Sequence, residues 1–441
     1  MDTIIALATP PGVSALAVLR LSGPNVLALI RPLLVRSPEW RPQQAVHLTL
    51  RQGAERLDDV VATYWQKPRS YTGEDVLEIS CHGNPLIAQK ILEALLLEGA
   101  RVALPGEFTQ RAFLNGKLDL TQAEAVMDVL SAATDEALQG AQAMQTGKLG
   151  VSLHEARESL IAILAHLEAY IDFPDEDISP ETGDLFFQRV DHLRRHLQQL
   201  LKTAPLGRIL REGVRTVIVG EPNVGKSSLL NALLRENRAI VSAQPGTTRD
   251  TIEAECNLEG FRLRLLDTAG QRSTTDQVEE EGVRRAQEAL SQAELILHVV
   301  EAPQPLPSTM ATFQPHPGQR YIRVANKVDL GLHPDHQAQV AVTTQGPNGI
   351  RPLEEKILQV LQEEGRGSDC GWLTINARQE AALRKAEAAL AKAEESMREK
   401  FPPELVSLDL RIALQAVGEV VGVITEEDIL DQIFKNFCIG K

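Results

Sequence analysis

The chain is short of cysteine, of positive charge and of long apolar runs, and each shortage closes a route. Its 441 residues carry four cysteines, Cys81, Cys256, Cys370 and Cys438, placed singly with no C-x-x-C pair. A disulfide framework and a zinc or thioredoxin-type site are thereby excluded, and a reducing compartment is expected. No stretch is apolar enough to cross a bilayer, so no membrane association is expected. The apolar start IIALATPPGVSALAVLRLSG lacks the positive n-region of a signal peptide: Asp2 stands in its place, and Pro10, Pro11 and Gly12 interrupt the run. It reads as strands of a cytoplasmic protein. The end, NFCIGK, lacks the aliphatic and small residues of a prenylation signal, since Gly440 and Lys441 fill those places. No internal repeat is evident. The formal net charge of -15 opposes non-specific nucleic-acid binding, because a polyanion gains affinity mainly by releasing counterions to Lys and Arg. Any RNA needs a local basic surface or a partner.

What is present is length and texture. At 43% hydrophobic content the chain can bury full cores, and its length favours two to four domains. Residues 1–118 mix short β-like runs with Pro and Gly punctuation, as an α+β domain does. From 119 to 210 helix formers dominate, with Leu160, Ile163, Leu164, Leu167 and Ile171 on one face. The acidic run from Asp172 to Asp184 reads as a solvated connection. Residues 211–368 alternate strands with helices, the rhythm of a parallel doubly wound sheet. Helices return over 369–441, with Leu383, Ala386, Leu390, Ala393 and Met397 as a core stripe. The economical arrangement joins the two helical segments into one domain and inserts the α/β unit between them.

The chemistry lies in the inserted segment. GEPNVGKSS, Gly220 to Ser228, fits G-x-x-x-x-G-K-[ST] between a predicted strand and a predicted helix. Gly220 and Gly225 let backbone N–H groups of the loop, Asn223 and Val224 included, face phosphates. Lys226 reaches the β/γ oxygens, Ser227 is placed for Mg²⁺, and Ser228 follows in the helix. An ordinary glycine turn at a helix start would match by chance, but two further elements follow in order. LLDTAG sets Asp267 at a strand end to hold Mg²⁺ through water, with the Gly270 N–H toward the γ-phosphate. NKVD offers Asp329 to the two donors of guanine, while Asn326 and Lys327 brace loop and base. Adenine lacks those donors, and a site built for them rejects such an analogue by about 10⁴ or more. The nucleotide expected is GTP. In QPGTTRD, Thr248 is the switch candidate for Mg²⁺ and γ-phosphate, and Thr247 a helix-capping residue or a second contact. The Ser-Ala-Lys type turn that usually follows NKxD is degenerate, with Thr343 and Thr344 at its place.

With DTIIALATPPG, YTGEDVLEISCHGNP, PGEFTQRAFLNGKLDLTQAEAV and the terminal FCIGK, these motifs resemble the bacterial tRNA-modification GTPase family called MnmE or TrmE over the whole length. The P-loop and NKVD say only GTPase; the last two motifs are far narrower. The resemblance implies a multidomain α/β protein: an N-terminal α+β folate-binding-like domain that forms a homodimer, then a helical domain carrying an inserted P-loop GTPase domain with a Ras-like sheet. It implies an FAD-dependent partner protein, joined in a heterotetramer, and (carboxymethyl)aminomethyl addition at C5 of the wobble uridine of certain tRNAs. A tetrahydrofolate derivative, 5-formyl- or 5,10-methylene-tetrahydrofolate, is implied as one-carbon donor, its contacts falling on Arg20, Glu78, Lys117 and Lys441. An isolated Lys117 would otherwise be read as a surface ion pair. The tail is expected to dock at that site and bring Cys438 to the one-carbon unit as nucleophile or acid; a small buried hydrophobe is the bland alternative.

The family's K⁺ dependence implies Asn223 as a K⁺ ligand, joined by groups around Ser242, Gln244 and Thr247. Its switch II glutamate matches Glu279. Gln271 directly follows DTAG, where Ras-type GTPases carry a water-orienting glutamine, so two candidates compete and Glu279 is favoured. A regulatory GTP switch in ribosome assembly is the rival function. An RNA-reading module after the G domain would mark it, and residues 399–421 show no basic G-x-x-G turn.

Overall fold

The structure is a computed structural model and describes residues 2–172, 184–236, 254–266, 288–306, 313–334, 340–346, 348–362, 373–423, 430, 433–435, 437, 438 and 440. The chain forms two compact units. One comprises Met1–Met127, Gln145–Glu181 and Glu395–Lys441; the other comprises Asp128–Met144 and Thr182–Glu394.

In the first unit, strands β1 (Ile4–Leu7), β2 (Leu16–Ser22), β3 (Ala45–Gln52), β4 (Glu55–Trp65), β5 (Val76–His82) and β6 (Arg101–Val102) form a sheet in the order β3-β4-β5-β2-β1-β6. All neighbours are antiparallel except β1 and β6. The two-residue period of a strand decides what each face carries. Ala17, Leu19 and Leu21 of β2 and Leu77, Ile79 and Cys81 of β5 point into one core, closed by Val26, Ile30, Ile91 and Leu95 from the helices Val26–Ile30 and Pro85–Leu97. Arg20 and Glu78 therefore emerge on the other face. The second helix starts where Asn84 Oδ1 accepts the Leu86 amide at 2.9 Å, with Pro85 in the first turn. Across the sheet, Phe108 of the helix Glu107–Leu114 packs on Ile4, Ala6 and Ala103. The long helix Lys148–Asp172 lies along Pro403–Val421. Leu160, Ile163, Leu164 and Leu167 of the expected stripe are buried, and Ile171 is half-buried.

In the second unit, β7 (Val214–Val219), β8 (Ala254–Leu258), β9 (Phe261–Leu266), β10 (Leu295–Glu301), β11 (Arg320–Asn326) and β12 (Val340–Ala341) order as β12-β11-β10-β7-β9-β8. All pairs are parallel except the hairpin β8–β9. The helices Lys226–Glu236 and Arg351–Gln362 cover one face through Leu229, Leu233, Leu353, Ile357 and Leu361. Ile209 of the helix Ala204–Glu212 joins the same core. Elsewhere in this unit the helices Asp184–Leu201 and Ala377–Arg398 are tied by Arg194, which pairs with Glu387 at 3.2 Å and with Glu394 at 2.5 Å. Leu383, Ala386, Leu390 and Ala393 are buried and Met397 is half-buried. Among the described residues no helix is long and apolar enough to cross a membrane.

Candidate functional site

The C-terminal ends of parallel strands in a doubly wound sheet converge on one edge, where ligands bind. Here that edge gathers the loop after β7, Glu301 at the end of β10, the turn after β11 and the segment after β12. Gly220 has φ +149°, and a Cβ there would lie 2.2 Å from the Val299 carbonyl. Gly225 has φ +97°, and its Cβ would lie 2.2 Å from Asn326 Nδ2. Only glycine fits both places, and the result is a loop whose backbone can approach a ligand closely. Asn223 is held at φ +65° between them.

The NKVD turn braces this loop from behind. Buried Asn326 donates through Nδ2 to the Val224 carbonyl at 2.9 Å. Its Oδ1 is buried and has no partner among the described residues. Lys327, itself left-handed at φ +65°, donates to the Asn223 carbonyl at 2.8 Å and to Glu301 Oε1 at 2.7 Å. Asp329 is exposed in the following turn, and the Thr343 hydroxyl donates to its Oδ1 at 2.6 Å. The degenerate turn thus keeps one contact: Thr343 holds the Asp329 carboxylate. Lys226 curls over the loop and donates to the carbonyls of Gly220 and Glu221 at 2.9 and 2.8 Å. Ser227 and Ser228 are exposed in the first turn of the helix that Lys226 opens. Ser242, Gln244, Thr247, Thr248, Asp267, Gly270, Gln271 and Glu279 lie outside the described residues, as does Lys441. The cradle, the left-handed Asn223 and the orphaned Asn326 oxygen fit a nucleotide. The exposed Ser227 hydroxyl fits a magnesium ligand, and of the expected K⁺ set only Asn223 lies among the described residues.

The second site is in the N-terminal sheet. Arg20 and Glu78 are direct neighbours across β2 and β5 and pair at 2.8 Å. The Arg20 guanidinium also lies 5.7 Å from the Tyr71 ring centre and 5.8 Å from that of Phe108. Its Nη1 donates to the Gly440 carbonyl at 3.3 Å, and Gly440 sits so close to the Leu7 carbonyl that a Cβ would come within 2.8 Å. Gly440 is therefore seated beside Arg20. Beside Glu78 opens a cavity of about 250 Å³ lined by Trp65, Arg69, Ser70, Tyr71 and Val76. Its mixed aromatic and charged walls fit one end of a flat heterocycle with a donor edge. Lys117 is not drawn to the ion pair: its Nζ donates to the Pro68 carbonyl at 3.2 Å and its stem lies along Gly73.

Cys438 is exposed, which overturns the buried-hydrophobe alternative. Burial, with the charge of Asp58, pushes the Cys81 thiol up to about 11, and burial, with Glu354, pushes Cys256 up to about 12. Both stay protonated and inert near neutral pH.

Sequence reasoning missed Glu301, Tyr71, Phe108 and the cavity wall, and the buried network that holds the site's floor. In that network Arg111 reaches Asp2 at 2.7 Å, Glu107 at 2.9 Å and Glu74 at 3.2 Å. For Tyr71, Glu74, Glu107, Phe108 and Arg111 the one signal available was their position inside the long motifs YTGED and PGEFTQRAF; Glu301 had none.

Two family models match the chain. The one described as the MnmE helical domain matches residues 120–438, and the one described as the GTP-binding protein TrmE N-terminus matches residues 3–117. The tRNA modification GTPase MnmE of Akkermansia muciniphila is 44% identical over 450 residues, covering 100% of this chain and 99% of its own. That of Aquifex aeolicus is 44% identical over 448 residues, and that of Thermotoga petrophila 42% over 455, each covering 100% of both chains. With matches of that length at 42–44% identity, the chain belongs to the tRNA modification GTPase MnmE family.

Proposed function

We propose that the chain is a GTP hydrolase of tRNA modification that, as a K⁺-dependent homodimer with an FAD-dependent partner, installs (carboxymethyl)aminomethyl groups at C5 of the wobble uridine. The observation that carries the reading is the convergence of Asp329 and the Gly220–Ser227 loop on one edge of the sheet, tied together through Asn326 and Lys327. Asp329, pre-aimed by Thr343, accepts from the guanine base. Phosphate oxygens, more negative than carbonyls, compete for the Lys226 ammonium now held by Gly220 and Glu221. Catalysis in such a site is mostly positioning and charge stabilisation. Ser227, Thr248 and Asp267 would hold Mg²⁺; Asn223, Ser242, Gln244 and Thr247 would hold K⁺. When bound, these ions supply positive charge against the β/γ oxygens. Glu279, with Gln271 as the competitor, orients the attacking water.

In the N-terminal unit, Arg20 and Glu78 would hold a tetrahydrofolate derivative, which supplies the one-carbon unit. Lys117 and Lys441 complete the set, and the exposed Cys438 serves as nucleophile or acid. Cytoplasmic location and the domain limits 1–118, 119–210, 211–368 and 369–441 belong to the same reading.

The test is nucleoside analysis of tRNA from cells lacking the chain: absent C5-modified wobble uridine supports the reading. Normal tRNA with a ribosome-subunit defect transfers it to the assembly switch. GTP turnover of the purified chain is expected to be faster in K⁺ than in Na⁺, and equal rates in matched salts overturn the K⁺ assignment.

A further inference from the structure

Between residues 31 and 56 the chain carries five arginines and two glutamates, with no lysine or aspartate, inside a protein of net charge -15. The fold brings four of these arginines to one edge. β3 is the outermost strand of the N-terminal sheet. The segment before it runs back along its free side, with Leu34 bridged to Leu50 and the Val35 amide donating to the Thr49 carbonyl at 3.2 Å. Arg31 and Arg36 thus flank β3, while Arg51 within it stands directly across from Arg56 in β4. All four are exposed.

The nearby acids are already committed. Asp59 takes Arg56, Glu39 takes Arg41 at 3.1 Å, and Glu55 takes Lys90. Among the described residues, Arg31, Arg36 and Arg51 have no ion pair and no side-chain hydrogen bond. Like charges directly opposite each other on a sheet destabilise it, and Arg51 against Arg56 is such a pair. Charges on an edge strand do guard against strand-to-strand aggregation. That role works with either sign and does not call for three unmatched cations in an acidic protein. A polyanion resting on the edge relieves the repulsion and releases counterions.

We propose that this edge is a docking surface for the phosphate backbone of tRNA, with Arg31, Arg36 and Arg51 as its contacts. The assignment rests on the tRNA reading above and answers the electrostatic objection raised by the net charge. The sheet also sets the distance. β3 is three strand spacings from β2, at about 4.8 Å each, so roughly 15 Å separates the edge from the Arg20–Glu78 pair. His47 pairs with Val61, Val61 with Ser80 and Thr63 with Glu78, so the open face of β3 is the face that carries the ion pair. A nucleotide presented at Glu78 has its neighbours within reach of this edge.

The experiment is binding of an unmodified, fluorescently labelled tRNA to the full-length protein across a salt series. Changing Arg31→Gln, Arg36→Gln and Arg51→Gln together is expected to weaken binding at least tenfold near 0.1 M salt and to flatten the log–log salt slope by about two to three. The matching triple change to lysine is expected to restore both, which sets charge apart from folding of the edge, and GTP turnover without tRNA is expected to be unchanged in each. Wild-type affinity and slope in the glutamine variant overturn the proposal, including the case in which that variant instead loses hold of an acidic protein partner. So does failure of the wild-type protein to bind tRNA at all. That last result leaves the functional reading to the wobble-nucleoside analysis, which does not depend on this edge.

Discussion

Asp329 and Glu107 are both carboxylates, and their surroundings give them opposite work. Asp329 is exposed and, among the described residues, is held by one hydroxyl, that of Thr343, so both oxygens can be turned toward a ligand with two donors. Replacing Asp329 with Asn puts a donor where guanine also has donors. Loss of two charge-assisted hydrogen bonds, each worth about 1.5–3 kcal/mol, is expected to weaken GTP binding by about 10²–10⁴-fold. Xanthosine triphosphate, with an acceptor at that ring position, should gain; competition titrations with both nucleotides measure the exchange. Glu107 is buried and spent on structure. Burial alone would raise its carboxyl, but hydrogen bonds from Arg101 at 2.6 Å, the Leu104 amide at 2.8 Å and Arg111 at 2.9 Å hold it below the ordinary value of 4.5. A depressed carboxyl binds fewer protons folded than unfolded, so its stabilisation is complete above about pH 4.5 and is lost as pH falls through the folded value. Glu107→Gln leaves Arg111 short of a buried partner and is expected to cost about 3–5 kcal/mol at neutral pH. It should also flatten the acid side of the pH–stability curve, read by denaturant melts between pH 3 and 7. At this scale the sequence told little apart, because a letter E or D does not say how buried it is. Asp329 was legible only through the fixed spacing of NKVD, whereas the carboxylates that share Arg111 with Glu107, those of Asp2 and Glu74, lie across the chain.

Elements were more legible where the pattern is local. The strand–loop–helix around Gly220 to Ser228 was readable since three constraints coincide within a few residues: a β run, glycines with left-handed φ, and a helix start. The structure adds why Gly225 cannot vary. A methyl there meets Asn326 Nδ2, which cannot retreat while it donates to Val224. Gly225→Ala is expected to leave the sheet core folded, since Leu229 and Leu233 are untouched, yet to weaken GTP binding by more than tenfold, a backbone strain of about 1–3 kcal/mol being added at the loop. Calorimetric titration with GTP, set beside a thermal melt, separates the two effects; a large fall in melting temperature with intact affinity contradicts the assignment. What was illegible is non-local pairing. Nothing in RTVIVG says that β7 lies between β10 and β9, or in VLEIS that Glu78 meets Arg20, since strand order and register are set by packing partners far along the chain.

For the molecule as a whole, the sequence showed that an α/β segment interrupts helices, but its texture placed the entry at 211, where the strand pattern begins. Packing argues for an earlier limit. Ile209, only 1% exposed, shares a core with Val214, Leu263 and Leu295, and Leu206 packs beside it. The returning chain closes on the same helix. Arg211 Nη2 donates to the Ile375 carbonyl, and a Cβ on Gly207 would come within 2.6 Å of that oxygen. Entry and exit are thus pinned together by a helix that reads, in sequence, as part of the preceding segment. A protein piece beginning at Arg211 gives up Ile209, a deletion comparable to the Ile→Ala changes that cost about 2–5 kcal/mol in other cores. Pieces spanning 204–376 and 211–368 are therefore both expected to bind GTP in preference to ATP, and the longer one to unfold at distinctly higher urea. Both should keep guanine selection, since Asn326, Lys327, Asp329 and Thr343 are present in each. Equal urea midpoints would mean that the helix Ala204–Glu212 adds nothing to this core, and would return the limit to 211.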